Sequence, residues 1–306
     1  MAIGIDPTVD FAFKRLLGSP EHPGITLHFL NAIFGGDPWI DEVSILNPFV
    51  DKSDSDDKLS ILDVLARDTD GRLYDIEMQT SLPAGLAERL TYYACSLFVG
   101  QIGEGDDYTL LRPSVSICVL DAIMFDQTDR VQTDFRLRTA DGKISLTEGI
   151  QIHLLELPKY NLPSDNTVLD DPIESWLCFF REAKMMTAQE IASRFSSPTF
   201  TEAAQVLEMI SRTPQERSQY EARLKAQRDE RARMQYAVEK ATTEGEARGE
   251  ARGEARGEAR GRVIGKIEVL SELLGLSPRT LEDITLQGLQ QLESELQQKL
   301  RHRGDR

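Results

Sequence analysis

Asp63, followed fourteen residues later by Glu77-x-Gln79, is the set of residues in this 306-residue chain best spaced to do chemistry. The three lie in SILDVLARDTDGRLYDIEMQT: an aliphatic and β-branched run, a Gly-containing turn and a second alternating run, the marks of a β-hairpin. A three-residue loop Thr69-Asp70-Gly71, with Gly71 left-handed, predicts pairing of 68 with 72, 66 with 74 and 63 with 77. Asp63 and Glu77 then stand opposite each other on one face, and Gln79, two residues on, shares it. A slip of one residue separates them. Two carboxylates held this close repel unless a cation lies between them, and a hard divalent ion is the usual solution. The plainer alternative is the solvated face of a half-buried hairpin. Ile61, Leu62, Val64 and Leu65 flank Asp63 and speak against it, because they make both faces of that strand look buried. Asp75 shares the parity of Glu77 but lies nearer the turn, and is expected to be solvated.

The order Asp, hairpin turn, Glu-x-Lys resembles the active-site pattern of PD-(D/E)XK nucleases. With Gln in the last place it resembles the Rpn-type recombination-promoting nuclease, or putative transposase, branch of that superfamily. DFAFKRLLG (10–18) resembles the family's amino-terminal helix, and the segment from Glu88 to Asp121 resembles its Arg-x-x-Tyr-Tyr helix followed by a Gln, a tyrosine and the next core strand. The resemblance covers about the first 125 residues in order. It implies an α/β, restriction-endonuclease-like mixed sheet flanked by helices, and metal-assisted phosphodiester hydrolysis of DNA in recombination or in defence against foreign DNA. It implies Asp63 and Glu77 as ligands of one or two Mg²⁺ (or Mn²⁺) ions, completed by water, the Met78 backbone carbonyl and substrate oxygens.

Gln79 departs from the superfamily's usual lysine. Lysine brings a charge that orients water and steadies the developing charge at phosphorus; glutamine keeps only the hydrogen bonding. Asp10 is a candidate further carboxylate, although a favourable acid at a helix start, paired i,i+4 with Lys14, explains it equally well. Arg89, Tyr92 and Tyr93 match the family helix and either face DNA or pack the helix on the sheet. Gln101 is a weaker candidate.

Composition sets limits. Three scattered cysteines in apolar surroundings (Cys95, Cys118, Cys178) read as buried thiols of a reducing cytoplasm, and four separated histidines make no zinc pattern. His28, within an apolar helix-like run, reads as a core-edge residue. No apolar run approaches the roughly 20 residues of a membrane span, and no signal peptide opens the chain. A formal net charge of −16 has the wrong sign for wrapping nucleic acid, so non-specific binding to duplex is expected to be weak. The acidic stretch DKSDSDDK (51–58) lacks a calcium-loop pattern and reads as solvated. Two other functions stay open: an RNA-directed nuclease, and a non-catalytic interaction scaffold on a degenerate nuclease core.

Beyond Asp121, alternation predicts strands near 130–138 and 149–157, the latter ending at Pro158, followed by the loop NLPSDN. Asp171-Pro172 opens a helix, and Thr187-x-x-Glu190 and Thr213-x-x-Glu216 are capping boxes. From Pro214 to Thr243 the pattern is helical and poor in apolar groups. Four GEAR repeats follow, Gly245 to Arg260. Each Gly costs ~0.8–1 kcal/mol relative to Ala in a helix, so the repeat reads either as a marginal helix or as a flexible spacer. In the tail, Gly275 closes a helix, Ser277-Pro278 opens the next, and Leu289, Leu292, Leu296 and Leu300 form a stripe that needs a partner: the preceding helix or a second subunit of a homodimer. The expected organisation is a core over 1–160, a helical extension over 161–244, the repeat over 245–262 and a small helical module over 263–306.

Overall fold

The computed structural model describes residues 1–36, 39–46, 62–163, 167–277 and 280–304. The acidic stretch 51–58, the end of the NLPSDN loop and Pro278 fall outside them. Two helices, α1 (Asp10–Leu17) and α2 (Pro23–Phe34), precede β1 (Val43–Ile45), β2 (Val64–Asp68) and β3 (Leu73–Gln79). Helix α3 (Leu86–Val99) then crosses to β4 (Ser114–Leu120), followed by β5 (Gln132–Arg138) and β6 (Ser145–Glu156). The six strands form one mixed sheet in the order β1-β2-β3-β4-β6-β5. β3, β4 and β6 run parallel to their neighbours within that trio, and the other pairings are antiparallel. This is the restriction-endonuclease-like architecture that the motif pattern implied.

The hairpin register is the predicted one as far as Val64; the expected pairing of Asp63 with Glu77 is not part of the ladder, which ends one residue short of it. Val64 pairs with Ile76, Ala66 with Tyr74 and Arg67 with Leu73, and Gly71 is left-handed at φ 83°. A buried latch holds it: the Asp68 carboxylate accepts from the Arg72 backbone N–H (2.8 Å) and from the Tyr74 hydroxyl (2.8 Å). Such charge-assisted bonds are about twice as strong as neutral ones, so the turn is fixed from both sides.

The two faces of the sheet have different covers. Tyr74, Ile76, Val115, Ile117 and Val119 point into the main core, with Phe13 of α1 and Phe29 of α2. The same core takes in Trp176, Phe179 and Phe180 of α4 (Pro172–Glu182), then Ile191 of α5 (Ala188–Arg194) and Phe200 and Leu207 of α6 (Thr199–Arg212). On the opposite face lies α3, with Leu86 and Leu90 on Cys118, Leu120 and Leu154, and with Tyr93 and Leu97 on Leu62 and Leu73. Helix propensity and caps agree with this layout. Asp171 caps α4, and Thr187 and Glu190 form the complete capping box of α5. Near Thr213 the carboxylate of Glu216 instead pairs with Arg15 of α1.

The chain divides into two compact units, Met1–Arg231 and Ala232–Arg306. Helix α7 (Pro214–Leu274) is continuous through the GEAR repeats, which are therefore helical. Within a repeat Glu and Arg stand two apart. The ion pairs appear at the flanks, where the spacing becomes four: Glu244–Arg248 (3.4 Å) and Glu258–Arg262 (3.0 Å). In the second unit Val263 and Ile267 of α7 pack on Leu289 and Leu296 of α8 (Leu286–Gly304). The leucine stripe thus finds its partner in the preceding helix. Gly275 ends α7 at φ 68°, as expected, but the next helix opens later than Ser277-Pro278 suggested, at Leu286, with the Thr285 hydroxyl accepting from the Gly288 N–H (3.2 Å). Arg260, last of the repeat, donates to the carbonyls of Leu281 (2.9 Å) and Glu282 (2.6 Å), tying the turn between the helices to α7.

Candidate active site

At the open end of the hairpin, away from Gly71, the β2–β3 ladder stops at Val64 while β3 continues along β4 to Gln79. Asp63 lies just outside the ladder, and its Oδ2 accepts the Met78 backbone N–H (3.0 Å). That bond replaces a strand partner and aims Asp63 across the gap beside Glu77. A cavity of about 330 Å³ opens here, lined by Asp10 and Lys14 of α1, Asp63, Glu77 and Gln79 of the hairpin, Arg89 and Tyr93 of α3, and Arg223 and Gln227 of α7.

The electrostatics are those of crowded, poorly solvated carboxylates: Lys14 pairs with Asp63, while among the described residues no ion pair reaches Glu77. Glu77 is buried, and burial together with the Asp63 charge pushes its pKa up to about 7, opposed in part by Arg89. One oxygen of Glu77 accepts from the Gln79 amide (3.3 Å); the other, Oε1, is buried without a hydrogen-bond partner. Burial also raises the Asp63 carboxyl, with Lys14 pulling the other way and Asp10 adding to the rise. Asp75 is a correction to the expected solvated carboxylate. It is completely buried, because α3 covers this face of β3 even toward the turn. Its Oδ2 accepts from the Ser116 hydroxyl (3.1 Å), Oδ1 has no partner, and burial next to Glu77 holds its pKa well above the ordinary carboxylate range.

Cations approach from two sides. Lys14 Nζ lies 2.9 Å from Asp63 Oδ1 and 2.5 Å from Asp10 Oδ1. Sequence reasoning saw only the i,i+4 pair with Asp10; nothing local announces the contact with Asp63. Arg89 reaches in from α3, and its Nε and Nη2 are buried without a hydrogen-bond partner. Tyr93 packs on Leu62 and Leu97 and still lines the cavity, whereas Tyr92 is half-exposed outside it. Gln101 is structural: its side chain exchanges hydrogen bonds with the Arg112 backbone (2.8 and 2.9 Å) and seats the loop before β4. His28 is a core-edge residue that accepts from Trp176 Nε1 (3.0 Å). Cys118 and Cys178 are buried free thiols, and Cys95 is partly exposed.

Among the described residues no group of three or more His, Cys, Asp or Glu side chains forms a preassembled metal cage. The buried Glu77, with an acceptor unpartnered among the described residues, and the mostly covered Asp63 nevertheless suit a hard ion that retains water and substrate oxygens, the usual habit of Mg²⁺. None of the described helices is long and apolar enough to cross a membrane.

The mixed six-stranded sheet with its flanking helices has a restriction-endonuclease-like fold. Residues 7–237, about three-quarters of the chain, match the family model of PD-(D/E)XK nuclease family transposases, and the chain belongs to that family. No curated protein and no solved structure matches it.

Proposed function

We propose that the protein is a Mg²⁺-dependent DNA endonuclease. The observation that carries this reading is the buried Glu77 and the mostly covered Asp63 lining one cavity, together with the Nε and Nη2 of Arg89, which have no hydrogen-bond partner among the described residues. A buried carboxylate oxygen without a partner, as at Glu77, is costly, and so is the buried edge of a guanidinium without an anion, as at Arg89. A divalent ion at the carboxylates and a phosphate at Arg89 would satisfy both. The bound metal, for which Asp63, Glu77 and the Met78 carbonyl are the proposed ligands, would supply Lewis-acid activation of water and charge stabilisation at phosphorus. Arg89 would hold a non-bridging phosphate oxygen, and its fork suits that geometry. The Gln79 amide, bonded to Glu77, keeps that carboxylate oriented. Asp10 holds Lys14, and Tyr93, packed on Leu62 and Leu97, forms part of the cavity wall.

Hydrolysis forms a bond from the water oxygen to phosphorus and breaks the bond from phosphorus to the leaving sugar oxygen. Recombination or defence against foreign DNA is the setting proposed for this activity. The test is plasmid nicking at low salt by the wild type and by Glu77→Ala, with and without Mg²⁺. Nicking by the wild type that disappears without Mg²⁺, and falls to background in Glu77→Ala, is the expected result. Equal behaviour of the two proteins across metals would instead favour a scaffold on a nuclease fold. Cleavage of RNA alone would reassign the substrate.

A further inference from the structure

We propose that Lys14 of α1 is the catalytic cation of this site, supplying from a helix the charge that Gln79 does not supply from the strand. The inference rests on the nuclease reading above. Phosphodiester hydrolysis needs a positive charge at a point in space, near the attacking water and the phosphate oxygens. It does not matter from which element that charge enters. The Gln79 amide is neutral and already donates to Glu77 (3.3 Å). Lys14 reaches the same cavity, with its side chain only 14% exposed and its ammonium between Asp63 and Asp10.

The placement is built into the fold. Phe13, Leu16 and Leu17, around Lys14 on α1, are fully buried in the main core. At the end of α1, Gly18 lets the helix approach β2 closely: a Cβ there would lie 3.2 Å from Val64 Cγ2 and 2.7 Å from the Lys14 carbonyl. One turn before Gly18, Lys14 therefore falls beside Asp63, the neighbour of Val64.

The other two cations of the cavity are suited to different work. Arg89 forms no ion pair with Asp63 or Glu77 within 4.0 Å, and its orphaned fork matches phosphate. Arg223 is more than half exposed and sits 3.7 Å from Asp10, at the rim. In the proposed step Lys14 remains an ammonium and exchanges its contact with Asp63 for one with a non-bridging phosphate oxygen. The attacking water releases one proton to solvent, and the leaving oxygen takes one up from solvent.

The experiment compares full-length wild type, Lys14→Met, Lys14→Gln, Gln79→Lys and the double variant Lys14→Met/Gln79→Lys, with the surface variant Lys143→Met as control. Three quantities are read: single-turnover plasmid nicking in Mg²⁺, Mn²⁺ binding by calorimetry, and thermal unfolding. Lys14→Met should slow nicking by about 100-fold. Its Mn²⁺ affinity should be equal to or tighter than that of the wild type, because an ammonium no longer competes for Asp63. Gln79→Lys should restore nicking roughly tenfold in the Lys14→Met background. Rescue from a second element is something a structural lysine cannot give. Nicking by Lys14→Met at the wild-type rate overturns the proposal. So does a double variant that folds and binds Mn²⁺ but gains nothing, and so does loss of Mn²⁺ binding or of folding in both Lys14 variants, which would make Lys14 a prop for Asp63. A wild type that binds Mn²⁺ but nicks no substrate marks a failure of the nuclease reading itself, and this inference falls with it.

Discussion

Glu77 carries the conflict between stability and function most directly. Its carboxyl is buried, stands beside Asp63 and leaves Oε1 without a partner. Replacing one member of a repelling buried pair with a neutral isostere relieves the repulsion and keeps the shape. Glu77→Gln should therefore raise the metal-free melting temperature by about 2–4 °C, the shift that ~1 kcal/mol produces in a chain of this size. Mg²⁺ should raise the melting temperature of the wild type, by linkage to the folded state, and leave that of Glu77→Gln unchanged. Paired thermal melts with and without Mg²⁺ measure both effects. A Glu77→Gln protein less stable than the wild type in the absence of metal would mean that Glu77 already has a stabilising partner. The contrast with Asp75 is instructive: two carboxylates on the same face of β3 are both buried, yet only Glu77 lines the cavity.

At the scale of elements, β6 holds a group whose titration reports the integrity of the sheet. His153 is buried on β6 against Phe34 of α2, with ring centroids 5.1 Å apart, and its Nδ1 has no partner. Burial, aided by Arg136 and opposed by Asp134, lowers its pKa from 6.5 to about 4. The unfolded chain therefore binds this proton from about pH 6.5 downward, while the folded chain does so only near 4. The stability contribution is fully present above pH 6.5 and is lost as pH falls through the folded value. The full loss is about 3 kcal/mol. In His153→Leu, stability should fall less between pH 7 and pH 4 than in the wild type, as read by urea melts at each pH. Parallel pH curves would show that His153 is not buried as the neutral ring. The same sheet shows why the hairpin is so well defined: Asp68, Arg72 and Tyr74 lock the turn, and that fixes the register up to Val64 and Ile76, next to Asp63 and Glu77.

Over the whole molecule, charge and repeat each carry a prediction. A chain of net charge −16 presents few cations to a substrate. Those lining the cavity are Lys14, Arg89 and Arg223. Each neutralised phosphate contributes a salt slope of about −0.9 on duplex DNA. Binding of a short duplex, followed by anisotropy in Ca²⁺, should therefore show a slope no steeper than about −3. A markedly steeper slope would require a basic surface elsewhere. In the second unit, a Cβ added at Gly249, Gly253 or Gly257 meets nothing within 4 Å. Replacing these three glycines with alanine should stabilise α7 by ~0.8–1 kcal/mol per site. Circular dichroism should show a higher melting temperature, with nicking unchanged. A fall in nicking would show that the glycines serve the reaction rather than only tolerating the helix.

The parts of this protein legible in its sequence are those decided by neighbours along the chain. Alternation, a Gly-containing turn and strict strand parity are enough to set the register as far as Val64 and Ile76, one pair short of Asp63 and Glu77, because a three-residue loop leaves a hairpin little choice of register. The capping box at Thr187 and the chain stop at Gly275 are local in the same way. Only the tertiary structure decided what covers each face. Nearness to the turn suggests a solvated Asp75, but α3 lies across that face and buries it. Lys14 reaches Asp63 across forty-nine positions of sequence because the apolar stripe of α1 sinks into the core against β2. The Nε and Nη2 of Arg89 have no hydrogen-bond partner among the described residues; α3 packs through Leu86, Leu90 and Leu97, and Arg89 lines the cavity. The GEAR repeat sat between two readings because a propensity of about 1 kcal/mol per residue does not decide a helix that has packed segments at both ends. Local periodicity chooses an element and its faces; which long-range neighbour meets each face depends on how the elements pack.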